Sequence, residues 1–304
     1  MCRILSYLGK PIVVEELLYK PDNSFIKQSY HPHYMSHLLN LAGFGMVAWD
    51  GVSNNPDFPY LYKTPQLPFY DENLRNLTKK IMPKCMLAHL RGVEYTNKQI
   101  VSSQNVHPFL FDNSNLALAH NGALFEFDTM KYDLLEYIKP DFIKEIKGST
   151  DSEWIYAILL SQFPSLNAHI EIEGISQAII ETLKILQRVR HKHNIIINSP
   201  VNLFVTNGEF IAATRFVFDF GWYPKHSISP HASYHTLWYT YGDSYGYFDN
   251  EYKMKSSAEK SSIIISSEPL TQDTTTWMSV PEYTLIIARL EENEIKITSQ
   301  DINL

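Results

Sequence analysis

Apolar residues recur along the chain with two different periods, and the changes between them mark out the elements. Residues 2–8, CRILSYL, form a short apolar run of strand length. After a stretch rich in Pro, Asn and His (20–40), GFGMVAWD at 43–50 is a second such run, and its glycines predict a strand that other backbone approaches closely. Pro56, Pro59, Pro65 and Pro68 make 51–70 read as loop. From Glu72 the period lengthens, and Leu74, Leu77 and Ile81 predict a helix that Pro83 ends. KCMLAHLRG at 84–92 reads as a buried strand, and NLALAHNGALFEF at 115–127 as two short strands around Asn121-Gly122. Helical spacing returns at 129–146, at 152–163 and most clearly at 177–193, where Ile180, Leu183, Leu186 and Val189 form one stripe. The last third is strand-like again. VNLFVTNGEFIAATRF at 201–216 predicts a hairpin about Asn207-Gly208, and SSIIISS and YTLIIARLE predict two further strands.

Strands at both ends with helices grouped between them do not alternate in the βαβ manner, which points to an α+β architecture with largely antiparallel sheets. No repeat, low-complexity linker or shift in composition divides the chain, so one domain over 1–304 is expected. An apolar share of 44 % can fill a sizeable core. With 26 basic against 33 acidic residues, a net charge of −7 and no dense basic run, the chain argues against a nucleic-acid or anionic-membrane partner. No apolar stretch reaches transmembrane length, and the start lacks the pattern of a signal peptide. Cys2 and Cys85 alone give no disulfide framework, which suits a reducing cytoplasm.

Several short stretches carry candidate chemistry. Cys2 directly follows the initiator methionine, and removal of Met1 would leave a thiol and a free α-amine on one residue. An α-amine titrates near pH 8 and can serve as the base for such a nucleophile. Arg91, at the end of the strand in AHLRG, offers a guanidinium that can grip a carboxylate with two hydrogen bonds. In AHNGAL, Asn121-Gly122 is either a hairpin turn or a pair of donors for an oxyanion, the Asn121 amide and the Gly122 N–H. Thr150 and Glu153 fit a capping box at a helix start, which leaves Asp151 in the first turn able to accept from an ammonium. His31, His33 and His37 lie close together, yet no cysteine or carboxylate sits at ligand spacing, so no metal is expected. Cys85 reads as a small core residue. No glycine-rich loop fits a phosphate or dinucleotide fingerprint, and no cofactor is expected.

Taken in order, Cys2, GFGMVAW, AHLRG, NVHPF, AHNG, STDSEW and SSEPL resemble the class II glutamine amidotransferases, especially the small stand-alone members that include the ergothioneine-pathway γ-glutamyl hydrolase and the glutaminase-like subunit of a fungal glutathione-degrading complex. The resemblance implies a four-layer αββα sandwich of two stacked, mainly antiparallel sheets, the N-terminal nucleophile hydrolase fold. It implies that Cys2 is the nucleophile and its α-amine the base, that Asn121 and Gly122 form the oxyanion hole, and that Arg91 and Asp151 hold the α-carboxylate and α-ammonium of a glutamyl group. His107 in NVHPF would wall the pocket. The implied reaction is hydrolysis of glutamine or another γ-glutamyl compound, with a synthase or peptidase subunit supplied in trans as a possible partner. The alternative is a non-catalytic binding subunit that keeps the fold, and intact Cys2, Arg91, Asn121 and Asp151 argue against it. Two features depart from the family pattern. RGVEYTN carries Glu94 and Thr96 where Ser or Thr and then Gly are usual, and 231–252 is unusually aromatic, read here as partly core with a loop over the pocket as the other possibility.

Overall fold

The computed structural model describes residues 2–34, 40–92, 101–112, 114–164, 171–220 and 236–304. Its strands, in chain order, are β1 (Arg3–Leu8), β2 (Phe44–Trp49), β3 (Tyr60–Thr64), β4 (Cys85–Leu90), β5 (Ala117–Gly122), β6 (Ser199–Thr206), β7 (Phe210–Arg215), β8 (Val217–Phe218), β9 (Trp238–Gly242), β10 (Ser244–Phe248), β11 (Glu251–Lys255), β12 (Ser262–Ser266), β13 (Met278–Ser279), β14 (Thr284–Glu291) and β15 (Glu294–Asp301). The helices are α1 (Glu15–Leu18), α2 (Glu72–Thr78), α3 (Phe127–Leu134), α4 (Pro140–Ile143), α5 (Asp151–Ser161) and α6 (Ile172–Lys192).

The strands build two large sheets. The first has the order β13-β9-β12-β1-β4-β2-β3, and the second β15-β14-β7-β6-β5 with β8 pairing β6. Their neighbours pair antiparallel, as expected. The period-2 pattern divides each strand between two cores. On β1, β2 and β4, Ile4, Leu8, Val47, Trp49, Cys85 and Leu87 pack toward Ala117, Ala119, Phe204, Ile211 and Ala213 of the second sheet. The opposite face of the second sheet packs on α3, α5 and α6. The opposite face of the first sheet is covered by Val14, Leu17 and Leu18 around α1, Leu74 of α2, and Tyr245 and Met254 of the β10-β11 hairpin. The result is the four-layer αββα sandwich, with an outer layer of short helices and a hairpin on one side.

Some local expectations change. Residues 51–70 are not all loop, because β3 forms between Pro59 and Pro65 as an edge strand, where flanking prolines cost no ladder bonds. Asn121-Gly122 is not a hairpin turn. One continuous strand, β5, carries both residues at its end, paired with Asn202 and Val201 of β6. The helical stretch 129–146 divides into α3, a 3-10 turn and α4, since Pro140 cannot extend a helix from Lys139 and instead starts a new one. Within 231–252, as expected in part, Tyr245, Trp238 and Tyr252 pack into the outer core and Leu237, Tyr239 and Tyr241 onto the core between the sheets, whereas 231–235 lie outside the described residues. The helix predicted at 177–193 is α6 and starts five residues earlier, its stripe running through Ile175, Ile179, Leu183, Leu186 and Val189.

Candidate active site

One end of the space between the sheets gathers the charged and polar groups. Cys2 stands at the head of β1, which pairs Arg3 with Leu90 of β4 and Leu5 with Ser266 of β12. The residues that follow β4 and β12 therefore flank it on either side. Cys2 is nearly buried, and its Sγ accepts from the Gly92 N–H at 3.4 Å. Arg91, beside Gly92, is also nearly buried. Burial lowers the pKa of its guanidinium against the opposing pull of the nearby Cys2 thiol and Asp151 carboxylate.

Asp151 opens α5, with Thr150 as the N-cap accepting from Glu153 N at 3.3 Å. Only half of the expected capping box forms, because the Glu153 carboxylate accepts from Lys147 N and Gly148 N instead of returning to the cap. Asp151 is held by Leu124 N at 2.6 Å and Ser152 N at 2.8 Å, so both carboxylate oxygens are oriented before any ligand arrives. It also acts on buried His120, whose pKa burial lowers against the Asp151 charge, and whose Nδ1 lies 2.9 Å from Ser152 Oγ.

Asn121 sits on the inter-sheet face of β5 and is fully buried. Its Nδ2 donates to Ser267 Oγ at 3.3 Å, and the same oxygen accepts from Ile4 N at 3.0 Å, so one hydroxyl ties Asn121 to β1 two residues after Cys2. An amide nitrogen carries two hydrogens, and only one is used here. Gly122 is required by close approach: a Cβ there would lie 1.9 Å from Pro200 O. Gly45 shows the approach anticipated for β2, its hypothetical Cβ being 2.0 Å from His107 O. His107 and His89 are buried with their rings 4.1 Å apart, and burial holds both far below the usual histidine pKa, hence neutral.

Sequence reasoning missed the groups that fix Cys2 from behind. Arg3 and Glu268 form a fully buried ion pair, with Arg3 Nε donating to Glu268 Oε1 at 2.7 Å. Arg3 Nη1 donates to the Cys2 carbonyl at 3.1 Å, and Glu268 Oε2 accepts from the His33 and Tyr34 N–H groups. A charged residue inside the apolar CRILSYL run, and a glutamate after SIIIS, were the available signals. Among the described residues no three His, Cys, Asp or Glu side chains lie close enough to hold a metal ion. His37, Glu94 and Thr96 lie outside the described residues. No described helix is long and apolar enough to cross a membrane.

The chain is similar to known proteins over most of its length. Probable glutamine amidotransferase DUG3 of Saccharomyces cerevisiae is 27 % identical over 94 % of this chain and 81 % of its own. The γ-glutamyl-hercynylcysteine sulfoxide hydrolase of Mycobacterium tuberculosis is 28 % identical over 41 % of this chain and half of its own. In fold, a glutamine aminotransferase class-II domain protein from Silicibacter pomeroyi superposes with a TM-score of 0.59 over 99 % of both chains at 17 % identity. Glutamine phosphoribosylpyrophosphate amidotransferase from B. subtilis gives 0.57 over the whole of this chain and half of its own, also at 17 %. The sequence model described as "Glutamine amidotransferases class-II" matches residues 68–302, a span that contains Arg91, His107, Asn121, Gly122 and Asp151 but not Cys2. The chain belongs to the class II glutamine amidotransferases.

Proposed function

We propose that this protein hydrolyses the γ-amide of glutamine or of a γ-glutamyl compound, with Cys2, as the first residue after loss of Met1, acting as nucleophile. The observation that carries the reading is the convergence of a nearly buried thiol, a buried guanidinium, a pre-oriented carboxylate and a buried carboxamide at one end of the sandwich. A free glutamyl group has an α-carboxylate and an α-ammonium, and Arg91 and Asp151 supply one opposite partner for each. His107 walls the same region, and neutral His89 and His107 add no charge to compete with the clamp.

In the proposed reaction the α-amine takes the thiol proton and Sγ adds to the γ-carbonyl carbon. The oxygen then carries the negative charge, which the second Asn121 N–H and the Gly122 N–H stabilise. Collapse of this adduct breaks the C–N bond, and the α-amine returns the proton to the departing nitrogen. The products are a γ-glutamyl thioester and ammonia or an amine. Water, activated by the same α-amine, cleaves the thioester and releases glutamate. The relative from Mycobacterium tuberculosis, named a γ-glutamyl-hercynylcysteine sulfoxide hydrolase, supports this chemistry. The whole of 1–304 would act as one amidotransferase unit in the cytoplasm, with any synthase or peptidase partner supplied in trans. Glutamate release from glutamine and a panel of γ-glutamyl compounds tests the reading. No release from any of them contradicts it.

A further inference from the structure

Three contacts run in series behind the ammonium side of the glutamyl clamp. Asp151 Oδ1 lies 3.1 Å from Ser152 Oγ, Ser152 Oγ lies 2.9 Å from His120 Nδ1, and His120 Nε2 lies 3.3 Å from Pro200 O. His120 directly precedes Asn121 and Gly122 in β5, and its ring turns to the helix side of the strand, toward α5. A Cβ at Gly122 would meet its Nε2 at 2.5 Å. The series therefore joins the carboxylate proposed to hold the substrate ammonium to the strand end proposed to hold the oxyanion.

The series is one hydrogen short. Each contact needs a hydrogen between its two heavy atoms. Pro200 O and the Asp151 carboxylate bring none, the serine hydroxyl brings one, and a neutral imidazole brings one. With that hydrogen on Nε2, the Ser152 hydroxyl turns to Nδ1, and lone pairs of Ser152 and Asp151 face each other. With it on Nδ1, Ser152 donates to Asp151, and a bare Nε2 faces Pro200 O. An imidazolium supplies both N–H groups and completes all three bonds. A buried imidazolium also needs a counter-charge, and Asp151 supplies it: burial lowers the His120 pKa, against the opposing pull of the Asp151 charge and of the bond to Pro200 O. The other ionisable groups around it, among the described residues, are neutral His89 of β4, neutral His107, Arg91, which Asp151 also attracts, and Arg190 of α6, which is bound to Asp219 and to Ser199 Oγ.

We propose that His120 is a positioning residue that shares Asp151 with the substrate, so that a proton on His120 and the α-ammonium of a glutamyl group draw on one carboxylate and binding of the second releases the first. The proposal rests on the hydrolase reading above and on its assignment of Asp151 to the ammonium. Asp151 has room for both partners: Oδ1 accepts from Ser152 N and faces Ser152 Oγ, while Oδ2 accepts from Leu124 N and has a second lone pair to offer. The competition is one of charge. An ammonium on Asp151 cancels the pull that holds the proton, so the His120 pKa falls further when the site fills. By reciprocity, the protonated form binds the glutamyl group more weakly. Affinity is therefore full above the ordinary histidine value, about 6.5, and is lost as pH falls through the His120 pKa below it.

The test measures glutamine binding by calorimetry to Cys2→Ala protein, which lacks the proposed nucleophile, from about pH 4.5 to about pH 7.5 in two buffers of different ionisation enthalpy. Glutamine keeps both its charges over this range. Proton release should reach at least about a third of a proton per glutamine near the His120 midpoint and fade toward neutral pH, and the dissociation constant should rise about fivefold or more toward the acid end, the lower end of typical coupling between sites. His120→Gln in the same background keeps a donor and an acceptor but cannot titrate, and it should abolish both effects. Glutaramate, which is glutamine without its α-amine, needs no change at His120 and should bind with no proton release. Glutamine binding without proton release, or a release that persists with His120→Gln or with glutaramate, overturns the coupling while glutamate release by the wild type still stands. Absence of both glutamine binding and glutamate release overturns the hydrolase reading and the coupling with it.

Discussion

The two cysteines stand at opposite ends of one pair of strands. Cys85 opens β4 opposite Leu8 and Trp49, fully buried, with Thr206 Oγ1 at 3.3 Å, and burial pushes its thiol up to about 12. Cys2 heads β1 among Gly92, Arg91 and the Arg3–Glu268 pair, and its end of the sandwich opens toward Asp151 and Asn121. The same strands supply an apolar end, where a thiol is inert filling, and a charged end, where a thiol meets donors and cations. What distinguishes the two residues is their company, since both are small and both are buried or nearly so.

The largest way to sharpen this contrast is to remove each thiol. Cys2→Ala should lower glutamate release by at least about 10³-fold, the scale of losing a covalent nucleophile. Cys85→Ala should change it by no more than about twofold and destabilise the fold by about 1 kcal/mol. Equal losses would erase the distinction between the two ends.

The charged end also depends on its buried ion pair. Glu268→Gln leaves the Arg3 cation buried without its partner and should cost about 3–5 kcal/mol of stability, read as a lowered urea midpoint. A midpoint unchanged from wild type would mean that Arg3 finds water there. Asn121→Ala should lower kcat by about 10²–10³ with little change in KM, as expected for a donor that acts mainly on the developing oxyanion. Arg91→Gln and Asp151→Asn should each lower kcat/KM by about 30-fold, and by similar factors for glutamine and γ-glutamylalanine. If Asp151→Asn impaired one substrate and spared the other, the shared glutamyl clamp would be wrong.

How legible these ends were in the sequence follows from the range of the forces involved. Strands β1, β2 and β4 and helices α5 and α6 declared themselves because burial imposes a local period on the residues that carry it. Asn121-Gly122 misled at first, since the dipeptide that favours a tight turn is here needed for a different reason: Pro200 O leaves no room for a Cβ at 122. Strand β3 was hidden by prolines that an edge tolerates. The Arg3–Glu268 pair was illegible because its partners are 265 residues apart and nothing local encodes their meeting. The same holds for Ser267, which joins Ile4 N to Asn121 only after β12 has docked beside β1. The charged candidates Arg91 and Asp151 came from ordered motifs, and the structure adds what holds them: Gly43 O accepting from Arg91 N, and Leu124 N and Ser152 N donating to Asp151.

The central claim is that the thiol at the charged end, on the chain's first residue, carries the reaction. Its most direct test is to inactivate protein made in cells with a glutamine-like diazo ketone and to map the adduct by peptide mass spectrometry. The account predicts one adduct, on a peptide that begins at Cys2, with Cys85 unmodified. An adduct on Cys85, or full labelling and activity of a chain that keeps Met1, would contradict it.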